Sequence, residues 1–260
     1  MREANCLSRK KLIIRDNSTL RAQYDSLQTG DVFVGRLCLK PSEETLLLDL
    51  TARGVCLIPA GLAQLASRSK TLQASIFGPF MLPHTRPIHG LHDLIETLSN
   101  YQKQSITKVV TKHDRRNAGM GIHLWESVEE VFAQASFNNI PLPFVIQPYM
   151  PDSKDIRVIV LDDYLEAYWR HNPHNFRNNM HHGGQSEPCR LSDEQLKLCK
   201  QVMERGRFPY GHVDILVTRE GKSYLGEINL RGGIRGAKIN PKEYQEKIDA
   251  IHQRLLEKSE

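Results

Sequence analysis

Glu227 and Asn229 lie two residues apart in YLGEINLRGG (224–233), the spacing that puts two side chains on one face of a β-strand. The segment before it, GHVDILVTREGKS (211–223), reads as the other arm of a hairpin with its turn at Arg219–Gly221. Counting outward from that turn leaves Asp214 near Glu227 or Asn229 on the paired strand. Two carboxylates and an amide oxygen make a hard oxygen set. It suits Mg²⁺, which takes few protein ligands and fills its shell from water or phosphate. The same pattern also describes the polar outer face of an ordinary hairpin. The metal reading therefore implies a nucleotide only if phosphate-binding groups stand elsewhere in the chain.

HDRRNAGMGI (113–122) supplies such groups. Gly119 and Gly121 follow a strand ending in Lys112, so backbone N–H groups can approach phosphate oxygens closely, with Arg115 and Arg116 alongside. GKS at 221–223 is not a phosphate loop, because the Walker pattern needs glycine where this chain has Leu216. It is a hairpin turn.

The elements that must position these residues are legible in outline. KLIIR (11–15), DVFVGRL (31–37) and VCLI (55–58) read as short strands. Between them, STLRAQYDSL (18–27) and SEETLLLDLTARG (42–54) read as helices capped by Ser18 and Ser42, and a further helix runs from Pro59 to about Lys70. That alternation predicts parallel α/β pairing. Beyond a Pro/Gly-rich break at 77–90 come a helix in LHDLIETLSNYQ, a strand in ITKVVTK, a helix over 127–137 and a strand in PFVIQPYM. DIRVIVLDDYLEAYWR (155–170) is two strands joined at Asp162-Asp163. A helix over 192–206 opens on a Ser192 capping box, and a charged helix starts near Pro241.

The chain has 260 residues and is 40% hydrophobic, enough for a substantial core in one large domain or two smaller ones. No apolar run nears the roughly 20 residues of a membrane span. The N-terminus has no apolar signal region. Cys6, Cys38, Cys56, Cys189 and Cys199 are odd in number and never in CxxC spacing, which predicts free thiols in a reducing compartment. A soluble cytoplasmic protein is the expectation. The net charge of +5 fits nucleotides, phosphates or acidic substrates as well as nucleic acid. Its scatter argues against a dedicated nucleic-acid surface.

Residues 70 to 235 resemble an ATP-grasp domain, and among these the RimK-like carboxylate–amine ligases, through six motifs in order. SKTLQASIF…MLPHT resembles the family's opening helix, and KVVTKHDRRNAGMGI its strand and glycine loop. FVIQPYM is similar to the adenine hinge, DIRVIV to the phosphate-side strand, and YWR…NFRNNMHHGG to the arginine-rich segment. The sixth motif is the D…ExN pair of strands. The resemblance implies an ATP-grasp fold of the α/β (α+β) class, with a shortened parallel α/β domain over 1–69, the ATP-grasp domain over 70–240 and a C-terminal helix over 241–260. It implies Lys70, Lys112, Gly119, Gly121, Gln147, Pro148, Tyr149, Met150 and Asn179 as nucleotide-binding residues. It places Arg157, Arg170 and Arg177 at the transferring phosphoryl group, and Asp214, Glu227 and Asn229 on Mg²⁺, with Mn²⁺ as a substitute.

The activity implied is ATP-dependent activation of a carboxylate as an acyl phosphate and its joining to an amine or thiol. Acid and acceptor are unspecified, an acidic compound or a peptide among them. A phosphotransferase and a non-catalytic nucleotide-binding protein stand as alternatives. Oligomeric state is left open, a homo-oligomer included. The chain departs from the family after the ExN pair, reading NLRGGIRGAKINP in place of a Ser-Pro-Gly type turn. Arg231, Arg235 and Lys238 are therefore expected to meet an acidic group on the substrate, against the alternative of a flexible, solvated loop. His171, His174, His181 and His182 match no standard zinc spacing.

Overall fold

The computed structural model describes residues 9–116, 121–172 and 185–259. At the N-terminal end, strands β1 (Ile13–Ile14), β2 (Val32–Val34) and β3 (Cys56–Ile58) form a parallel sheet in that order. Helices α1 (Asn17–Ala22) and α2 (Thr45–Ala52) make the crossovers. Phe33, Leu47 and Leu50 fill the space beneath them.

Three expectations about helix ends are corrected. The N-cap of α1 is Asp16, whose carboxylate accepts the Thr19 N–H at 2.8 Å, while Ser18 donates its hydroxyl to the same carboxylate. Ser42 is no cap either: it sits at φ +70° and α2 begins only at Thr45. The helix expected over 59–70 is two. Helix α3 (Gly61–Ala66) stops, and α4 (Lys70–Phe77) restarts because the Ser69 hydroxyl accepts the Leu72 N–H at 3.1 Å. Lys70 is thereby the first residue of a helix.

Two antiparallel sheets follow. Strands β4 (Arg86–Ile88), β5 (Val109–His113), β6 (Ile122–Trp125) and β7 (Phe144–Pro148) pair in the order β4-β7-β5-β6. Helices α5 (Leu91–Lys103) and α6 (Val128–Ser136) supply Leu94, Tyr101, Val128 and Val131 to a core shared with these strands. Strands β8 (Lys154–Leu161), β9 (Tyr164–His171), β10 (Gln185–Pro188), β11 (Tyr210–Val217) and β12 (Ser223–Asn229) pair in the order β10-β9-β8-β11-β12. Helix α7 (Asp193–Gly206) opens on the expected Ser192 capping box. Strands β6 and β10 escape sequence reading because IHLW is short and QSEP, an edge strand, has no apolar period.

The last helix, α8 (Pro241–Glu257), is shared by two cores. Its Tyr244, Ile248 and Ile251 join the large core, while Leu256 packs on Val32, Val34 and Ile58 of the parallel sheet. Among the described residues no helix is long and apolar enough to cross a membrane. The described cysteines are free thiols.

Gln73 of α4, only 1% exposed, ties this framework to the hairpin. Its amide nitrogen donates to the Ile228 carbonyl at 2.9 Å and to the Ala66 carbonyl at 2.7 Å, and its amide oxygen accepts the Ile228 N–H at 3.0 Å. Ile228 separates Glu227 from Asn229. Gln73→Ala leaves these buried backbone groups unpaired and should destabilise the fold by about 2–4 kcal/mol. Urea unfolding should show a lower midpoint at unchanged slope. A midpoint like that of the parent would refute the tie.

Candidate functional site

The register of the five-stranded sheet aligns the chemistry. Across its strands Arg157 faces Asp214 and Asp214 faces Glu227, so three charged side chains form one row. In the neighbouring row His212 pairs with Asn229. Beyond Asp214 the pairing shifts by one residue and leaves Gly226 as the bulge. A Cβ on Gly226 would lie 3.1 Å from the Asp214 carbonyl, so glycine lets the two strands stay close.

Asp214 sits between two guanidinium groups. Arg157 donates through Nε to Oδ1 and through Nη2 to Oδ2, both at 2.8 Å, and Arg170 Nη2 reaches Oδ2 at 2.8 Å. Arg170 also donates from Nε to Asp155 at 2.5 Å. Burial works against the Asp214 charge, yet the two arginines hold its carboxyl well below the ordinary range. For Asp155 burial prevails and pushes the carboxyl up, although Arg170 opposes the shift. Burial works against the charge of both arginines as well, and it is more than offset by Asp214 at Arg157 and by Asp214 and Asp155 together at Arg170, raising both.

Two lysines face this row. Lys70 Nζ lies 3.1 Å from Glu227 Oε1 and donates to the Arg116 carbonyl at 2.8 Å. Lys112 Nζ reaches the Gly226 carbonyl at 3.4 Å, and burial lowers its ammonium from the usual lysine range. Gly121 is fixed by crowding: a Cβ there would stand 2.6 Å from Arg116 Cβ and 2.9 Å from His113 Cβ.

These groups line a cavity of about 940 Å³, a volume suited to a cofactor-sized ligand. The cavity brings together Lys70, Lys112, Gln147, Tyr149, Met150, Arg157, Arg170, Asp214, Glu227, Asn229, Arg231 and Arg235. Pro148, Gly121 and Lys238 do not line it, and Gly119, Arg177 and Asn179 lie outside the described residues. So do His174, His181 and His182, while His171 ends β9 exposed to solvent. Among the described residues no three His, Cys, Asp or Glu side chains converge as a metal cage. The remaining oxygen set fits a harder ion. Three of the roughly four lone-pair positions of Asp214 are occupied, leaving one on Oδ1, and Glu227 and Asn229 line the same cavity.

The segment after β12 is held at several points. The Leu230 N–H donates to Ser67 Oγ at 2.9 Å, and Arg157 Nη1 donates to the Gly233 carbonyl at 3.2 Å. Gly232 lies against the His212 ring, where a Cβ would come within 2.6 Å of Nδ1. The N–H groups of Lys238 and Ile239 both donate to Glu166, at 2.6 and 3.3 Å. Lys238 is thus an anchor point behind the loop.

Asp155, Arg36 and Arg68 also line the cavity and were not singled out from sequence. Asp155 was within reach, because it precedes Arg157 by two residues on one strand and so shares its face. Cys199 is no nucleophile, its thiol pushed up to about 12 by burial.

A family model described as a RimK-like ATP-grasp domain matches residues 66–252. The chain belongs to the RimK-like ATP-grasp family. A probable alpha-L-glutamate ligase of Aeromonas salmonicida is 30% identical over 165 residues, covering 60% of this chain and 52% of that protein. A coenzyme gamma-F420-2:alpha-L-glutamate ligase of Methanococcus maripaludis is 29% identical over 133 residues, 49% of this chain and 46% of that protein. The chain spans about half the length of these relatives. Among solved structures, D-cycloserine synthetase DcsG superposes with a TM-score of 0.59 at 12% identity, over 94% of this chain and 99% of that one. The ATP-grasp ligase PsnB, in complex with a minimal precursor, Mg and ADP, gives 0.55 at 18% identity over 81% of this chain and 67% of that one. These neighbours establish the ATP-grasp fold.

Breaking the buried row has a measurable cost. Asp214→Asn weakens the pairing of both arginines and should destabilise the fold by about 3 kcal/mol or more. Glu227→Gln keeps an oxygen that accepts from Lys70 and should cost clearly less. Thermal unfolding of both variants checks the order, and equal losses would contradict it.

Proposed function

We propose that the chain is an ATP-dependent ligase that activates a carboxylate as an acyl phosphate and joins it to an amine. One observation carries the reading: in a RimK-like ATP-grasp chain, two lysines and two arginines surround the Asp214–Glu227–Asn229 oxygen set inside one cavity, Lys70 and Arg170 buried and Lys112 and Arg157 half-buried.

Adenine would lie along the end of β7. The Tyr149 N–H is committed to the Lys108 carbonyl at 2.9 Å, so the Tyr149 carbonyl and the Met150 N–H are the backbone groups left to meet the ring edge. Lys70 and Lys112 would neutralise phosphate oxygens. Asp214, Glu227 and Asn229 would hold Mg²⁺, which supplies charge neutralisation at the phosphates when bound. Arg157 and Arg170 would steady the transferring group, because a guanidinium fork matches phosphate and carboxylate oxygens.

In the reaction, a substrate carboxylate oxygen attacks the γ-phosphorus and ADP leaves. The amine nitrogen then attacks the acyl carbon, loses a proton and expels phosphate. The glutamate ligases among the relatives support an acidic amino acid as the amine, and PsnB, solved with its precursor peptide, keeps a peptide substrate in view.

Hydroxylamine, Mg-ATP and a panel of carboxylates test this. Hydroxamate formed together with ADP, and lost in Glu227→Gln, is the expected result. ADP without hydroxamate would move the activity to a phosphotransferase. Neither product with any acid in the panel would count against ligation.

A further inference from the structure

Twelve arginine or lysine side chains line the cavity against four carboxylates, an excess of eight where the whole chain carries only +5. The charges divide by position. Lys70, Lys112, Arg157 and Arg170 face Glu227, Asp214 and Asp155, four cations to three anions. That inner group leaves +1, close to balance with a magnesium–nucleotide complex of about two negative charges. The outer group holds eight cations and Glu44, which Arg115 engages at 2.8 Å. With Arg115 and Arg116 set aside beside the glycine loop, six positive charges remain for which the nucleotide phosphates do not account.

Three of them are gathered by backbone contacts on one short platform, the end of α3. Gln64 accepts the Leu37 N–H at 2.8 Å and donates to the Gly35 carbonyl at 3.3 Å, which fixes Arg36 beside the helix. Arg68 itself donates to the Leu37 carbonyl. Ser67 accepts the Leu230 N–H at 2.9 Å and brings Arg231 to the same place. Arg235 follows on the loop held by Arg157 and Glu166. Burial and the nearby Arg36 charge both lower the Arg68 guanidinium, as expected where like charges are held together. Among the described residues Arg36, Arg68, Arg231 and Arg235 have no carboxylate ion-pair partner. Holding like charges together without counter-ions costs energy, which a bound anion offsets.

We infer that Arg36, Arg68, Arg231 and Arg235 form a subsite for a polycarboxylate substrate, separate from the nucleotide-binding cations. The acid to be activated then carries at least one further carboxylate, held by arginine forks while its reacting group reaches Arg157 and Arg170. This use of the acid rests on the ligase reading. Binding rests on the cluster alone.

The full chain, with Mg²⁺ and a non-hydrolysable ATP analogue, is titrated calorimetrically with acetate, succinate and tricarballylate. Tricarballylate should bind at least about tenfold more tightly than acetate. R36Q and R231Q change exposed side chains, and their double variant should lose at least about tenfold in tricarballylate affinity. R219Q, on the distant hairpin turn, should bind like the parent and controls for bulk charge. Equal affinity for the three acids would overturn the subsite, and so would parent-like binding by R36Q/R231Q or an equal loss in R219Q. Affinity for a fluorescent nucleotide is read on the same samples. Charge-graded acid binding without nucleotide binding would keep the subsite and overturn the ligase.

Discussion

A carboxylate buried between two guanidinium groups is the constraint on which the rest of this molecule depends. Removing Asp214 from water is costly, and only the bidentate fork of Arg157 with the added contact from Arg170 makes its charge stable there. Those partners sit on β8 and β9, so the ion network is satisfied only when β11 pairs with β8 in one register and β8 with β9 in one register. A slip of one residue on any of these strands would send a charge to the opposite face, into the core built by Val158, Val213 and Ile228. The chemistry and the correct fold of the sheet are therefore selected by the same contacts.

From that row outward, each neighbouring element is fixed by pairing a backbone N–H with a side chain. Gln73 closes the backbone of Ile228, Ser67 closes Leu230, and Glu166 closes Lys238 and Ile239. The three glycines Gly121, Gly226 and Gly232 stand where a side chain would strike a wall of the site. Helix α8 adds the last tie, with Tyr244 hydroxyl and His212 Nε2 at 2.8 Å beneath the loop that carries Arg231. The loop after β12 is thus a built wall of the cavity, although its sequence is rich in glycine and charge.

Period-two spacing, hairpin counting and the order of motifs carried most of this site in the sequence. Counting from the turn at Arg219–Gly221 leaves Asp214 near Glu227 or Asn229, and the Gly226 bulge decides between them: regular pairing would set Asp214 against Gly226, and the extra residue brings Glu227 there. Lys70 and Lys112 arrive in the cavity where the motif order puts them. What local pattern could not convey was long-range. Arg36 and Arg68 look like solvated charges until Gln64 and Ser67 bind distant backbone, and Asp16 displaced Ser18 as a cap by a single hydrogen bond. The split between α3 and α4 turned on which serine, within a run of small and basic residues, could reach a backbone N–H. Polar edge strands such as β10 carry no apolar period and emerge only from their partner's register.

The division of charge in the cavity links these observations. Arginines already saturated by carboxylates, as Arg157 and Arg170 are, have fixed positions and a field that is partly cancelled. They suit a group whose charge changes during reaction, because their geometry needs no rearrangement when it does. Arginines without carboxylate partners, such as Arg36 and Arg231, keep their full field and suit a group whose charge stays constant, as an anchoring carboxylate does. A site that must both hold an acid and alter one of its oxygens needs both kinds. Arg36 and Arg68, which follow β2 and α3, are of the second kind, and on the proposed reading they would give the N-terminal segment a direct part in selecting what enters the cavity.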